Sequence, residues 1–169
     1  MPKPQSGEYP AFFEGYINQV DQSDIQEAVK QLAHPLTYFF LNLPDEKGDY
    51  AYAEGKWTLK DLLQHVIDTE RIMQYRLLRI ARNDQTPLPG FDENKYAENA
   101  MANRRSFVAL KEEFKALRKS TDLLIGSLTE EQLLNSGIAS DKKVTANALA
   151  YIVFGHLLHH KKIIEERYL

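Results

Sequence analysis

The sequence contains no cysteine in its 169 residues. This absence excludes disulfide bonds, thiolate metal ligands and a cysteine nucleophile, so any thiol chemistry needs a thiol from outside the chain. Glycine and proline are also few, at 8 and 7 residues, which disfavours an architecture of many short strands joined by turns.

Long apolar runs and a surplus of positive charge are lacking as well. No stretch approaches the roughly 20 consecutive apolar residues of a membrane-spanning helix, and residues 1–10 lack the apolar centre of a signal peptide. The 21 lysines and arginines stand against 24 acidic residues, a net charge of −3, so no overall positive field attracts a phosphate backbone. We therefore expect a cytoplasmic protein with neither a membrane nor a nucleic-acid partner.

The composition is that of one globular domain. Hydrophobic residues make up 43% and charged residues 27%, which is too apolar for a disordered chain. A chain of this length buries about 70% of its unfolded surface and needs no disulfide to hold it. No repeat or linker divides the sequence, so we expect a single domain over residues 1–169, with an N-terminal arm at residues 1–20.

Four segments carry the three- or four-residue spacing of apolar side chains that predicts amphipathic helices. They cover about residues 23–43, 58–82, a helix within 99–128, and 145 to nearly 169. Pro35 predicts a kink in the first helix, and Thr58 with Asp61 three residues later predicts a capping box that begins the second. No segment has a convincing strand pattern.

The connection at residues 83–98 is long enough to return along a whole helix. About 15 extended residues span up to about 50 Å, whereas the second helix is about 36 Å long. Helices two and three can therefore run parallel, joined by a crossover. The sequence predicts an all-α four-helix bundle with a long crossover between helices two and three.

Two of the five histidines lie at the centre of an apolar stripe on the fourth helix. At about 100° per residue, His156 and His160 fall in line with Leu149, Val153 and Ile164, one turn apart from each other. Two imidazoles at this spacing suit a common metal ion. The alternative is that each histidine satisfies a separate buried hydrogen bond, although burying two imidazoles without a shared purpose is costly.

His65 lies at the border of the inner stripe of the second helix, and rotation of that helix could turn it inward. Three neutral imidazoles from two helices would supply the three protein ligands of an open metal site, with room for water or substrate. We expect a local structural role for His34, which precedes Pro35, and a place beside the site or at the surface for His159.

Asp68 and Glu70 are the candidates for catalytic carboxylates. Asp68 follows His65 by three residues and could orient it or contact a metal-bound water, or it is a solvated acid on the outer face. Glu70 lies near the apolar stripe, so it either pairs with an arginine or tyrosine of another helix or orients a histidine. Four arginines of the same helix form either a solvated basic face or a site for substrate carboxylates; they are Arg71, Arg76, Arg79 and Arg82.

An ordered set of motifs surrounds these histidines. Residues 56–71 read KWTLKDLLQHVIDTER, residues 88–92 read LPGFD, and the last helix contains GHLLHH at 155–160 and ERYL at 166–169. Together they resemble the helix pattern KW-x7-H-x2-D-x-E-R, the inter-helix loop and the last helix of the DinB/YfiT-like superfamily of helical bundle proteins. The resemblance covers nearly the whole chain.

The resemblance implies a four-helix bundle with the crossover described above, often as a homodimer. It also implies a divalent metal ion held by His65, His156 and His160, for which zinc and nickel are the first candidates, since imidazole suits several metals. Some members transfer low-molecular-weight thiols such as bacillithiol, mycothiol or glutathione. Others are named as metal-dependent hydrolases.

From the residues and the resemblance together, we predict a metal-dependent enzyme that transfers a low-molecular-weight thiol onto a small electrophilic substrate, in detoxification or stress. An ion on three histidines can deprotonate a bound thiol or lower the pKa of bound water to about 7. Hydrolysis by water is the alternative reaction, with a carboxylate as general base. The alternative of another class is a helical dimer that binds a metal or a ligand without turnover.

Overall fold

Four long helices form the bundle in the computed structural model, which describes residues 1–169. The helices are α1 (Glu14–Ile17), α2 (Ile25–Leu41), α3 (Leu59–Ala81), α4 (Glu93–Ala100), α5 (Phe107–Ser127), α6 (Glu130–Leu134) and α7 (Ala146–Arg167). The strands are β1 (Ser136–Ala139) and β2 (Lys142–Thr145). The four predicted long helices are α2, α3, α5 and α7, whose apolar sides meet in one core, so the predicted all-α four-helix bundle is confirmed.

Side-chain caps fix where the bundle helices begin. Thr58 accepts a hydrogen bond from the backbone N–H of Asp61, and the Asp61 carboxylate accepts one from the backbone N–H of Thr58, which confirms the predicted capping box. Thr145 caps α7 in the same way through the N–H of Ala148. α2 is not interrupted at Pro35 and continues to Leu41.

α3 and α5 run parallel, which confirms that a crossover joins them. Near the start of α3, Gln64 accepts from Arg105, just before α5, and further along Gln74 donates to Ser120. The contacts therefore advance in the same direction along both segments. α7 runs antiparallel to α3, because Tyr168 at its end donates to the carbonyl of Trp57, which precedes α3.

The crossover and the segment after α5 contain structure that the sequence pattern did not predict. Residues 83–98 are not a plain connection, since Asp92 caps α4 within them. Residues 129–143 hold α6 and most of an antiparallel hairpin, so the expectation of no strand was wrong. Leu88 pairs with this hairpin through the carbonyl of Ile138 and the N–H of Ser140. The hairpin thereby fixes the crossover to the bundle.

The N-terminal arm packs directly on α7 through Gly155. A β-carbon added at Gly155 would lie 2.1 Å from the carbonyl oxygen of Tyr16 in α1, so only glycine permits this approach. Residues 1–20 are therefore part of the packed structure, with α1 lying against α7. No helix of the fold combines the length and apolarity that crossing a lipid bilayer requires.

Gly155→Ala is expected to destabilise the protein and to displace α1 from α7. The new methyl group meets backbone atoms, which cannot swing aside, and overpacking of this kind costs about 1–3 kcal/mol. That exceeds the roughly 1 kcal/mol that alanine gains over glycine in a helix. Urea unfolding and amide hydrogen exchange in residues 11–20 measure the two effects.

Gly126→Ala in α5 is the matched control. Its added β-carbon has nothing within 4 Å, so helix propensity alone should act and stabilise the protein by about 0.5–1 kcal/mol. Equal effects of the two substitutions would contradict the close packing at Gly155.

Candidate metal centre

Three histidines from α3 and α7 point their Nε2 atoms at one another. His156 Nε2 lies 3.2 Å from His65 Nε2 and 3.0 Å from His160 Nε2. The ligand atoms of all three residues lie within 4.8 Å of one another. Because α3 and α7 are antiparallel neighbours, His65 meets the pair that the helical repeat places one turn apart on α7. The structure thus brings together the three residues predicted as metal ligands.

Burial keeps these imidazoles neutral. His156 and His160 are 6% and 7% exposed. Burial lowers the pKa of His65 to about 4 and that of His160 to about 2, and it holds the pKa of His156 well below its ordinary value. The neighbouring histidines lower the last two pKa values further. Neutral imidazole is the form that binds a metal ion.

The hydrogen bonding of the cluster fits a shared cation. A neutral imidazole Nε2 carries either one proton or one lone pair, so His156 Nε2 cannot make good hydrogen bonds to both neighbours at once. Three lone pairs directed at one ion remove this conflict. Zn–N bonds of about 2.0–2.1 Å at tetrahedral angles separate neighbouring nitrogens by about 3.3 Å, which is close to the distances of 3.0 and 3.2 Å. The donor set therefore fits a divalent metal ion.

The histidines line a cavity of about 460 Å³. Most of its wall is apolar, with aromatic rings from three separate segments: Phe12, Phe13, Tyr16, Trp57 and Phe91. Trp57 lies against His65 with ring centroids 4.8 Å apart, and Tyr16 lies edge-on to His156 at 5.6 Å. Trp57 and Tyr16 cover part of the histidine cluster, and the cavity keeps another side of it accessible.

Three polar side chains of the cavity wall have notable environments. The Thr69 hydroxyl, one turn after His65, is buried without a hydrogen-bond partner. Glu93, at the start of α4, is exposed at the cavity, and its charge raises the pKa of His65 against the larger effect of burial. Arg76 is buried on α3. Sequence reasoning did not single out Glu93, because no helical period marks α4 as an element.

The other predicted candidates lie away from this cavity. Asp68 accepts a hydrogen bond from Gln64, and burial raises its pKa. Glu70 is buried and accepts a hydrogen bond from Arg118 of α5. This is the first of the two alternatives predicted for Glu70, a pairing with an arginine or tyrosine of another helix. Neither carboxylate lines the cavity, and their catalytic role stays a prediction. His34 is exposed and stacks on Tyr38, whereas His159 is half-buried beside Tyr16.

Acidification is expected to destabilise the metal-free protein between pH 7 and pH 5. The folded pKa values of His65, His156 and His160 lie below the ordinary value of 6.5, so the unfolded chain takes up protons first as the pH falls. Stability then rises with pH in this window, by up to about 1.4 kcal/mol per pH unit for each imidazole.

Urea unfolding in the presence of a chelator measures this effect. A decrease of about 2 kcal/mol or more from pH 7 to pH 5 is expected, and His156→Gln should show a smaller decrease. Stability that stays constant or increases over this range would contradict the buried, neutral state of the cluster.

The comparisons with known proteins agree with this architecture. The model of the DinB superfamily matches residues 27–164. A relative from Oceanobacillus iheyensis named "Putative metal-dependent hydrolase OB0413" is 30% identical over 157 residues, covering 85% of this chain and 87% of the relative. A solved structure, YfiT from Bacillus subtilis, is described as "a probable metal-dependent hydrolase with an unusual four-helix bundle topology". It superposes with a TM-score of 0.70 at 18% identity, covering 97% of this chain and 90% of that one.

Proposed function

This chain belongs to the DinB superfamily, and on that basis we propose that it is a divalent-metal-dependent hydrolase of small molecules, with His65, His156 and His160 as the protein ligands. The observation that carries the proposal is the convergence of three neutral imidazoles on the wall of one cavity. The relative named as a metal-dependent hydrolase supports the reaction class. Zinc and nickel are the first candidates for the ion, because both accept imidazole ligands.

The histidines, the aromatic rings and the cavity each have a part in this chemistry. A divalent ion on three histidines supplies Lewis-acid catalysis and lowers the pKa of a coordinated water to about 7. Burial holds the three imidazoles unprotonated, so their lone pairs are available at neutral pH. Trp57 and Tyr16 fix the orientation of the rings that they contact.

Glu93 and Thr69 are the residues of this chain that we assign to proton transfer and substrate orientation. Glu93 is the carboxylate on the cavity wall, and it accepts the proton of the attacking water as general base. The buried Thr69 hydroxyl has no partner in the protein, so it is free to donate a hydrogen bond to a substrate oxygen. Glu93→Gln should therefore retain bound metal while lowering kcat.

Transfer of a low-molecular-weight thiol to an electrophile is the second candidate reaction. A cavity of about 460 Å³ has room for a nucleophile much larger than water, and the chain offers no thiol of its own. In this reaction the thiol sulfur forms the bond to the electrophilic carbon of the substrate, the leaving group departs with its electron pair, and the thiol proton passes to Glu93.

The two reactions are separated by following product and free thiol in the same samples. Zinc- and nickel-loaded protein is incubated with small esters, amides and alkylating electrophiles, with and without bacillithiol or glutathione. Because the chain has no cysteine, titration of free thiol reports on the added thiol alone. If the reaction is hydrolysis, product forms only with metal and no thiol is lost. If thiol is lost only when both substrate and metal are present, the reaction is thiol transfer and the hydrolase proposal is wrong.

The same experiment tests the alternative without turnover. Metal that stays bound while no substrate is consumed in either condition would contradict both reactions and favour a metal- or ligand-binding role. We include the homodimer implied by the superfamily in the proposal, and sedimentation equilibrium of the metal-loaded protein tests it. A monomer at micromolar concentrations would remove the dimer and leave the proposed reaction untouched.

A further inference from the structure

Arg76 is a buried cation with no acidic partner. Three cationic side chains of the protein are buried: Arg76 at 4% exposed, Lys111 at 8% and Arg118 at 0%. Lys111 forms an ion pair with Asp45, and Arg118 forms ion pairs with Glu70 and Asp122. No ion pair of the protein includes Arg76. Because a buried charge is costly unless it is paired, Arg76 differs from the other two in a way that packing does not explain.

The hydrogen bonds of Arg76 go only to neutral groups. Its Nη2 donates to the carbonyl oxygen of Pro89 at 2.7 Å and to the Ser140 hydroxyl at 2.9 Å. Its Nη1 lies 4.0 Å from the sulfur of Met73, and the guanidinium carbon lies 5.8 Å from the Phe91 ring centroid. A guanidinium has five N–H donors, so the Nε–H and one Nη1–H remain without an acceptor from the protein.

These contacts hold the guanidinium in place on the wall of the histidine cavity. Pro89 belongs to the crossover and Ser140 to the hairpin turn, so two separate segments orient Arg76 from outside α3. Along α3, His65, Thr69, Met73 and Arg76 follow one another at four-, four- and three-residue steps, on one helix face. At 1.5 Å per residue, the Cα atoms of His65 and Arg76 lie about 16 Å apart.

We propose that Arg76 binds the carboxylate of the substrate, and that the substrate is a small monocarboxylate with a flat apolar body between this carboxylate and the bond that reacts at the histidines. This inference rests on the proposed function for the reacting end of the molecule. Phe91 and Trp57 supply flat apolar surface in the same cavity, and the separation along α3 requires a spacer between the two ends. A carboxylate accepts charge-assisted hydrogen bonds from guanidinium, and a single carboxylate matches the one buried cation of the cavity wall.

Binding of matched probes tests this assignment without requiring turnover. The probes are 4-phenylbutyrate, its uncharged amide 4-phenylbutyramide, and 3-phenylpropyl phosphate, titrated into zinc-loaded protein by calorimetry at fixed ionic strength. The parent should bind the carboxylate at least about tenfold more tightly than the amide, since hydrogen bonds to charged groups contribute at least that much. Arg76→Gln should lose this preference, and Arg82→Gln, at an exposed position of the same segment, should keep it.

A His156→Ala variant separates this site from the proposed metal centre. If Arg76 binds the carboxylate, the preference over the amide persists in His156→Ala, even if the hydrolase proposal fails. A preference that is lost in His156→Ala and kept in Arg76→Gln would assign the carboxylate to the metal and overturn the inference. Tighter binding of the phosphate than of the carboxylate would also overturn it.

Arg76→Gln also removes two contacts that fix the crossover and the hairpin, so the variant can lose binding by losing structure. A second measurement therefore uses the unsubstituted protein. The Nε–Hε resonance of Arg76 should shift on addition of 4-phenylbutyrate and should not shift with the amide. A resonance that stays unchanged at saturating carboxylate would overturn the assignment whether or not the variant folds.

Discussion

Replacing His156 by alanine is expected to abolish metal binding while leaving the bundle folded. His156 Nε2 is the atom that contacts both His65 and His160, so its loss removes the central ligand of the three. Losing only an outer partner of a metal ligand weakens binding by about 10–100-fold, and the loss of a ligand should exceed that. Elemental analysis after reloading with zinc and nickel measures the effect, with near-stoichiometric metal expected in the parent.

Three further variants distinguish metal binding from packing at this position. His156→Gln keeps a polar side chain of similar size and should lose metal as His156→Ala does. His65→Ala removes the ligand on α3 and should also lose it. His34→Ala, an exposed histidine on α2, should keep full occupancy. Added metal should raise Tm only in the parent and in His34→Ala; equal, negligible metal in all of these proteins would eliminate the metal centre and with it the metal-dependent reaction.

The helical period of the sequence identifies His156 and His160 as an inward-facing pair on α7. It does not explain why this part of α7 is buried on all sides. The angle of 100° per residue selects His156 and His160 from a run that also contains His159, and the structure places the first two inward and His159 at the edge. However, α7 is not a one-sided helix, since every residue from Ala146 to Leu157 is buried. α1 covers the face that a four-helix bundle alone would leave open. The sequence gives no local sign of this, because the contact depends on a glycine on one helix and a backbone on another.

The hairpin and its contact with the crossover escaped prediction for a related reason. The two-residue turn of the hairpin consists of Ser140 and Asp141, both at positive φ, where Asn-Gly or Asp-Gly is the usual signal. Leu88 is held by backbone hydrogen bonds to this hairpin, which no side-chain pattern records. As a result, the part of the cavity wall that carries Glu93 was not foreseen. The sequence predicted the long helices, whose apolar residues repeat every three or four positions. It did not predict contacts between segments that are distant in the chain.

The sequence pattern also fails to distinguish the arginines of the α3 segment from one another, because their environments depend on the fold. Four of them share one segment, and their spacing is compatible with a solvated basic face. The structure separates them by their partners: Arg71 pairs with Glu113 on the surface, Arg79 pairs with Asp84 after the helix, and Arg76 alone is buried. Only the fold, which brings the crossover and the hairpin turn to Arg76, makes one of these residues a candidate for substrate binding.

A buried ion triad joins α3 to α5 in the core. Arg118 is fully buried and donates to Glu70 Oε1 at 2.9 Å and to the carboxylate of Asp122. Its guanidinium carbon lies 5.2 Å from the ring centroid of Phe154 on α7. Glu70 Oε2 and Arg118 Nε have no partner, so the triad is not fully satisfied even in the native protein.

Arg118→Ala is therefore expected to cause a large loss of stability, about 3–5 kcal/mol. Removing one partner of a buried ion pair leaves the other charge unpaired, and here Glu70 would remain 3% exposed without its cation. The truncation also opens a cavity between three helices. Urea unfolding of the metal-free protein at pH 7 measures the change, and the exposed Arg82→Ala is the matched control, expected to stay within about 0.5 kcal/mol of the parent.

The double variant Glu70→Leu with Arg118→Met tests the cause, since the third member of the triad, Asp122, has a side chain that is 18% exposed and can stay hydrated without Arg118. If the unpaired charge is responsible, replacing both partners by apolar side chains should restore most of the stability that Arg118→Ala loses, because a buried pair and a well-packed apolar pair differ little in free energy. The single and double variants should then be strongly non-additive. An Arg118→Ala protein within about 1 kcal/mol of the parent would mean that water reaches Glu70 and that the triad does not lie in a dry core. A severe loss in the single variant and near-parental stability in the double one would show that packing holds α3 and α5 together, and that Glu70 is tolerated in the core only when Arg118 is present.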